Sequence, residues 1–290
     1  MHFRSLTDDD LAASPPWWSE RSLARDGWRD DETRSAVAVE DGRIVAAGAI
    51  WLSRVHDDRF WLEVVVDPDR RRRGIGTALA RHLSALRSRD LPLMARGYVD
   101  DESLRFAEAL GARTIQTVPP ARASLDTRTD LRFHPGVQPL AGADRSRVEA
   151  AFAELYRWTH EDWSPVRQDF EAALVEALWD ELDLEASALA VDDSGRILAL
   201  ALTYLDSEPP LIVSETVSRD QPGGEHLVEG CIRRAMAILA HRGLTVVDFD
   251  GHVSDPHFLP ALSRLRPSGR WFRLVEIPAP CPLATGGRSA

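Results

Sequence analysis

The stretch VVVDPDRRRRGIGTAL, residues 64–79, decides how the rest of the chain is interpreted. Its β-branched start is typical of a strand. Apolar residues with the period of an amphipathic helix follow the loop, and these are Ile75, Ala78, Leu79, Leu83 and Leu86. The proline, four arginines and two glycines in between predict a tight loop at a helix N-terminus. Amides there lack intrahelical partners and the helix dipole is positive, so the loop suits an anion such as a pyrophosphate.

The spacing of this loop is specific. It fits neither G-x-x-x-x-G-K-[ST] nor G-x-G-x-x-G, the phosphate-binding patterns of nucleotide sites. Val66, Pro68, Arg71, Gly74 and Gly76 match Val-x-Pro-x-x-Arg-x-x-Gly-x-Gly, which resembles the acetyl-CoA signature of the GNAT N-acetyltransferase superfamily. The resemblance implies that CoA is bound by Val64, Val65, Val66, Arg71, Arg72, Arg73, Gly74, Ile75, Gly76 and Thr77.

Length and composition bound the remaining possibilities. A chain of 290 residues, 44% of them hydrophobic, can bury a sizeable core and suggests about two domains. Two cysteines, Cys231 and Cys281, offer neither a disulfide framework nor a cysteine-based zinc site. The N-terminus lacks the apolar segment of a signal peptide, and no run approaches the ~18 apolar residues of a membrane span. The expected compartment is therefore the cytoplasm, with no membrane partner.

The acidic charge is concentrated in the second half of the chain. The net charge is −11, with 20 arginines against 22 acidic residues in 1–130 and 15 against 24 in 131–290. Such a surface disfavours nonspecific binding to nucleic acid and attracts cationic small molecules. A merely solvated acidic surface explains the same count, so charge alone does not place a site.

An internal repeat predicts two domains in tandem. VAVEDGRIVA, residues 37–46, is echoed with one insertion by LAVDDSGRILA, residues 189–199, and an apolar strand, an amphipathic helix and a second strand follow each copy. The pattern breaks near residues 128–139. We therefore predict an α/β chain of two GNAT-like domains, 1–133 and 134–290. The resemblance implies that each has a mixed, mostly antiparallel sheet with helices on both sides.

The second copy lacks the signature. Its loop, SRDQPGG at residues 218–224, is shorter, has no Arg-x-x-Gly-x-Gly, and loses an amide at Pro222. We therefore expect the second domain to be degenerate and to bind the acceptor, near the domain junction, rather than a second CoA.

Acidic residues and histidines cluster late in the chain, in DFDGHVSDPH at residues 248–257. Glu215, Asp250 and His252 are the predicted acceptor-binding residues. Two other interpretations stay open: a metal site, since carboxylate and imidazole suit first-row ions, or a helix cap by Ser254 or Asp255 with Pro256 in the first turn. We predict no metal.

The resemblance implies acyl transfer to an amine, and this reaction has chemical requirements. An amine with a pKa near 10.4 is protonated at neutral pH, so a base must free its lone pair. Glu63, the carboxylate within the strand 60–66, is the first candidate, followed by Asp100, and then by Glu215 and His252. The resemblance implies that a backbone N–H of this strand stabilises the oxyanion. The tyrosine that often protonates the leaving thiolate in the family is replaced here by Ala107.

The resemblance implies a transferase that moves an acetyl group from acetyl-CoA to a small-molecule amine by direct attack. The same fold could take its acyl group from a longer acyl-CoA, a carrier protein or an aminoacyl-tRNA. A noncatalytic CoA-binding module is the third interpretation, favoured by Ala107 and by the altered second loop. The sequence names neither the acceptor nor the oligomeric state.

Overall fold

The structure of the chain, a computed structural model, describes residues 1–18, 23–205 and 207–278. It divides into two compact units: unit 1 is Met1–Ile115 with the chain from Leu274 onward, and unit 2 is Gln116–Arg273. In chain order the elements are β1 (His2–Ser5), α1 (Asp8–Ala12), β2 (Arg34–Glu40), β3 (Arg43–Leu52), β4 (Phe60–Val66), α2 (Ile75–Ala85), β5 (Leu93–Tyr98), α3 (Glu102–Ala109), β6 (Arg113–Val118), β7 (Arg122–Ser124), β8 (Val137–Pro139), α4 (Arg145–His160), α5 (Glu171–Val175), α6 (Leu178–Glu181), β9 (Ala188–Val191), β10 (Ile197–Tyr204), β11 (Leu211–Thr216), α7 (Gly224–His241), β12 (Val246–Asp250), α8 (Phe258–Arg264) and β13 (Phe272–Ile277).

The first sheet has the order β1-β2-β3-β4-β5-β13-β6. β1 to β4 pair antiparallel in sequence, and the β2–β3 hairpin turns at Asp41 and Gly42, which both have positive φ. β4 then pairs in parallel with β5 where both strands begin, Phe60 opposite Leu93. The strand that precedes the arginine-rich loop is therefore internal to a mixed sheet.

The second sheet repeats this arrangement in the order β7-β12-β11-β10-β9-β8. β8 to β11 pair antiparallel, and β11 pairs in parallel with β12. β12 is thus the counterpart of β5, and the helices α7 and α8 are the counterparts of α2 and α3. The internal repeat of the sequence corresponds to this repeated topology.

Helices cover both faces of each sheet. In unit 1, Leu79 of α2 and Leu104 of α3 pack on one face of the sheet, while Leu6 and Trp18 pack with Val65 on the other. In unit 2, α7 and α8 cover one face and α4 the other. Successive side chains of a strand point to opposite faces of the sheet. Because helices cover both faces, most of the apolar side chains are buried. The predicted fold class is confirmed.

The units do not divide at residue 133, where the sequence places the boundary. The structure separates them between residues 115 and 116, and β7 pairs with β12 in the second sheet. β13, at the end of the chain, lies between β5 and β6 in the first sheet. A local repeat cannot reveal this exchange of strands, because sheet neighbours need not be neighbours in sequence.

Candidate functional site

The loop between β4 and α2 presents a row of backbone amides. Asp67 accepts a hydrogen bond from the Asp69 amide (2.9 Å) and opens a tight turn over Pro68–Arg70. Arg72 and Gly74 then adopt left-handed backbone angles, with φ of 63° and 77°. Gly74 is the N-cap of α2 and supplies no side-chain cap. Successive amides in such alternating conformations form a concavity that favours an anion.

A cavity of about 570 Å³ opens at this loop, within the size range of small-molecule sites. The end of β4, the loop, the first turn of α2 and one face of α3 form its walls. Nine of the ten residues predicted to bind CoA line it, and Arg73 is the exception. The nine are Val64, Val65, Val66, Arg71, Arg72, Gly74, Ile75, Gly76 and Thr77.

The charge of this cavity is positive. Its lining includes four arginines, Arg70, Arg71, Arg72 and Arg105, against one carboxylate, Glu102. The Arg71 guanidinium donates to the Glu102 carboxylate (2.6 Å) and to the Val66 carbonyl (3.3 Å), which ties the loop to α3 and β4. With the helix dipole behind it, the cavity attracts a polyanion.

The helix α3 presents Ser103 and Phe106 to the cavity, whereas Ala107 is buried in the core of unit 1. The face of α3 that meets a ligand therefore has no phenol. Phe106 also limits the space near Gly76, where a Cβ would lie 3.4 Å from the ring and 3.3 Å from Val66. A side chain at position 76 has little room except into the cavity.

Strand alternation separates Glu63 from the α2 side of the sheet. Val64 and Val66 pack with the α2 core, and Val65 packs with Trp18 on the opposite face. Glu63 is partly buried and alternation puts it on the Val65 face, opposite Ala49 of β3. Asp100 lies exposed in the turn after β5. Neither carboxylate lines the 570 Å³ cavity, so their catalytic assignment stays a prediction.

In unit 2 the corresponding elements, β11 and α8, are joined directly. The buried Glu215 carboxylate accepts the backbone amides of His257 (3.2 Å) and Phe258 (3.0 Å), and its other oxygen lies 2.8 Å from the His257 ring. The same ring would clash, at 2.5 Å, with a Cβ on Gly224 at the start of α7. Where unit 1 has an open cavity, unit 2 has a hydrogen-bonded contact.

This contact also corrects the predicted helix cap. α8 begins at Phe258, with His257 at the N-cap position, rather than after Ser254 or Asp255. The first amides of the helix are satisfied by Glu215, which lies 42 residues earlier in the chain. Such a partner leaves no local capping signal in the sequence.

A second cavity, of about 480 Å³, lies within unit 2 on the α4 side of its sheet. Glu215, Asp250 and His252, the three predicted acceptor-binding residues, all line it. Asp255 lines it too and holds His252 by two contacts, 2.6 Å from the backbone amide and 3.1 Å from Nδ1. The structure therefore brings these residues together at the ends of β11 and β12.

The sequence did not point to the helical wall of this cavity. Tyr156 and His160 of α4 line it, and their rings stack with centroids 3.9 Å apart. Burial raises the pKa of the Tyr156 phenol well above its usual range, so the hydroxyl stays protonated and remains a hydrogen-bond donor. The apolar spacing of Val148, Phe152 and Leu155 is the signal that could have identified α4.

His252 is a titratable group in a charged setting. Burial by itself lowers the pKa of its imidazolium, but the hydrogen bond to Asp255 and the charges of Asp255 and Asp250 outweigh it, so the pKa lies above 6.5. His160 faces it from α4, with ring centroids 5.5 Å apart. The imidazolium is therefore favoured over a wider pH range than in an unfolded chain.

A pH-dependent stability follows from this raised pKa. The pair with Asp255 contributes fully below the unfolded value of 6.5 and loses its contribution as pH rises through the folded value. In guanidinium unfolding, we expect His252→Gln to cost about 1–2 kcal/mol near pH 5.5 and less near pH 9. A cost that does not change with pH would contradict a charged His252.

Neither a metal cluster nor a spanning helix was found within residues 1–18, 23–205 and 207–278. In that part of the chain no three histidine, cysteine or acidic side chains are grouped as metal ligands would be. No helix there is both long and apolar enough to cross a membrane.

Part of the chain is similar in sequence to known acetyltransferases. Residues 3–112 match the acetyltransferase (GNAT) family. A mycothiol acetyltransferase of Mycolicibacterium vanbaalenii is 33% identical over 187 residues, which is 60% of this chain and 58% of that protein. The matched part of the chain thus spans less than two thirds of that relative.

Two solved structures are similar over nearly the whole chain. A tandem GNAT protein from the clavulanic acid biosynthesis pathway has a TM-score of 0.61 at 18% identity, covering 96% of this chain and 98% of its own. A GCN5-related N-acetyltransferase from Sphaerobacter thermophilus has a TM-score of 0.60 at 18% identity, covering 93% and 85%. At 18% identity, this similarity is evidence for a shared fold and for nothing more specific.

Proposed function

We propose that the protein transfers an acetyl group from acetyl-CoA to a small-molecule amine, because residues 3–112 match the acetyltransferase (GNAT) family and the whole chain is similar in fold to a tandem GNAT protein. The acyl donor binds in unit 1. The similarity to a mycothiol acetyltransferase supports a small-molecule acceptor. The similarity to the tandem GNAT structure supports the fold of the two units.

The observation that carries this proposal is the positive cavity at the N-terminus of α2. The pyrophosphate of CoA would lie against the amides that follow Arg72, where the helix dipole favours negative charge. Gly74 allows the left-handed turn, and Gly76 leaves the cradle open. The pantetheine arm would follow Val64–Val66, whose side chains line the cavity.

The transfer needs a base, a stabilised oxyanion and a proton for the leaving group. A base removes a proton from the ammonium, and the free amine attacks the thioester carbonyl to form the N–C bond. As the C–S bond breaks, the nitrogen loses a second proton and the departing thiolate takes one up, which leaves a neutral amide and a thiol. We propose Glu63 as the base, with Asp100 as the alternative, and a backbone N–H of β4 as the oxyanion donor.

The residues of α3 favour a second candidate function, a noncatalytic CoA-binding module. The cavity face of α3 carries Phe106 where a phenol would serve the leaving thiolate, and Ala107 is buried. This favours a CoA-binding module without transferase activity. A longer acyl-CoA, a carrier protein or an aminoacyl-tRNA as donor would keep the same fold and the same loop.

Free-thiol release separates these functions. We expect acetyl-CoA mixed with a panel of primary amines to release thiol in an amine-dependent way, because the acyl group leaves CoA only when a nucleophile accepts it. Faster release from longer acyl-CoA esters would assign a different donor. Saturable CoA binding without release from any of these esters would support the noncatalytic module.

A further inference from the structure

The 480 Å³ cavity of unit 2 differs in charge from the cavity of unit 1. Among the described residues that line it there is no arginine, and arginine is the only strongly basic residue type in the chain. Five carboxylates line it, and they are Glu176, Glu181, Glu215, Asp250 and Asp255. His252 also lines the cavity and adds one positive charge when protonated, but the five carboxylates outnumber it, so the electrostatic potential inside favours a cation.

Two of these carboxylates are available to a ligand. Glu215 is used by α8, Asp255 is used by His252, and Glu176 has an interaction of its own. For Asp250, at the end of β12, and Glu181, at the end of α6, the structure shows no side-chain hydrogen bond within the described residues. Both side chains are at least partly exposed, so a cation could reach them without breaking an existing contact.

The walls of the cavity indicate an organic cation. Phe152, Leu155, Tyr156, Tyr204 and Val213 supply apolar and aromatic surface, which a hydrated metal ion would not use. Aromatic faces attract ammonium groups as well as apolar bodies. A volume of about 480 Å³ corresponds to a metabolite rather than an ion.

We propose that unit 2 binds an organic ammonium compound in this cavity, with the ammonium group against Asp250 and the body along Tyr156 and Tyr204. The site belongs to unit 2 alone. It is occupied whether or not its ligand accepts the acyl group, so this inference does not depend on the proposed transferase activity.

A matched series of probes tests the site in the full-length protein. Tyramine, 4-ethylphenol and 3-(4-hydroxyphenyl)propanoate share an aromatic body and carry a positive, zero and negative charge. By calorimetry we expect tyramine to bind at least about tenfold more tightly than either analogue, because only its charge is complementary.

Charge-removing variants locate the binding. We expect Asp250→Asn to weaken tyramine binding about tenfold, the usual loss of a charged hydrogen bond, and Glu181→Gln to weaken it less, through the loss of a negative charge in the same cavity. Asp193→Asn removes one exposed carboxylate of unit 2 outside the cavity and should leave it unchanged. CoA affinity, measured on the same samples, should not change in any of the three.

Equal affinities for the three probes, or no cation-dependent saturation up to about 10 mM, would overturn the proposal. Tyramine binding that both cavity variants leave intact would also overturn it, since the probe would then bind elsewhere. A wild-type protein that binds tyramine but not CoA would count against the acyl-CoA site and not against this one.

Discussion

Replacing Gly76 by leucine should weaken CoA binding at least about 100-fold. A Cβ at this position already lies 3.3 Å from Val66 and 3.4 Å from Phe106, so a leucine side chain must extend into the cavity. There it would displace the pyrophosphate from the amides that follow Arg72. Losing two charge-assisted hydrogen bonds is enough for an effect of this size.

The control comes from the second copy of the loop. Gly74 and Gly223 are the N-caps of α2 and α7, both are left-handed, and a Cβ added to either would have no neighbouring atom within 4 Å. Gly74→Ala and Gly223→Ala therefore introduce the same backbone strain. Only the first should reduce CoA affinity, and calorimetry should give about one CoA per chain. Two equal sites, or a loss caused by Gly223→Ala, would show that the working site is misassigned.

The features that sequence predicted well are local ones. The loop of residues 64–79 contains its own strand, turn and helix signals, and α2 begins at Ile75, within that stretch. The hairpin at Asp41 and Gly42 is likewise encoded by its turn residues. Each depends on contacts between residues close in the chain, so the pattern alone is informative.

The features that it missed depend on distant partners. β13 joins the first sheet and β7 the second, which moved the boundary from residue 133 to residue 115. The start of α8, at Phe258, is set by Glu215, 43 residues before it. The sequence has capping residues at Ser254 and Asp255, but in the structure the buried carboxylate of Glu215 accepts the amides at the start of the helix instead.

The site was predicted in parts. Glycine and arginine spacing identified most of the unit 1 cavity, because the left-handed turn that leads into α2 requires particular residues. Only some of the residues that line the unit 2 cavity were predicted from the sequence. Asp250 and His252 belong to a local cluster that the sequence shows directly, whereas Tyr156 lies on α4, about 100 residues earlier in the chain, and only the fold brings it to the cavity.

The second large effect is expected on turnover, when Glu63, the carboxylate of β4 that is proposed as the base, is replaced. If Glu63 is the base, Glu63→Gln should lower turnover by roughly 10²–10⁴-fold, the usual contribution of general-base catalysis. CoA affinity should stay nearly the same, because Glu63 does not line the cavity proposed for CoA. The acidic limb of the pH–rate profile should flatten as well, since that limb reports protonation of the base.

Asp90→Asn is the matched control, because Asp90 is a carboxylate of unit 1 that is 87% exposed and lies outside the cavity. Its turnover should equal that of the wild type. Asp100→Asn, measured in parallel, separates the two candidate bases: a large loss there, with Glu63→Gln retaining most of its rate, would transfer the role to Asp100. If both variants keep the wild-type rate and pH profile, neither carboxylate is the base, and the ammonium must lose its proton to water or to another group before it attacks the thioester.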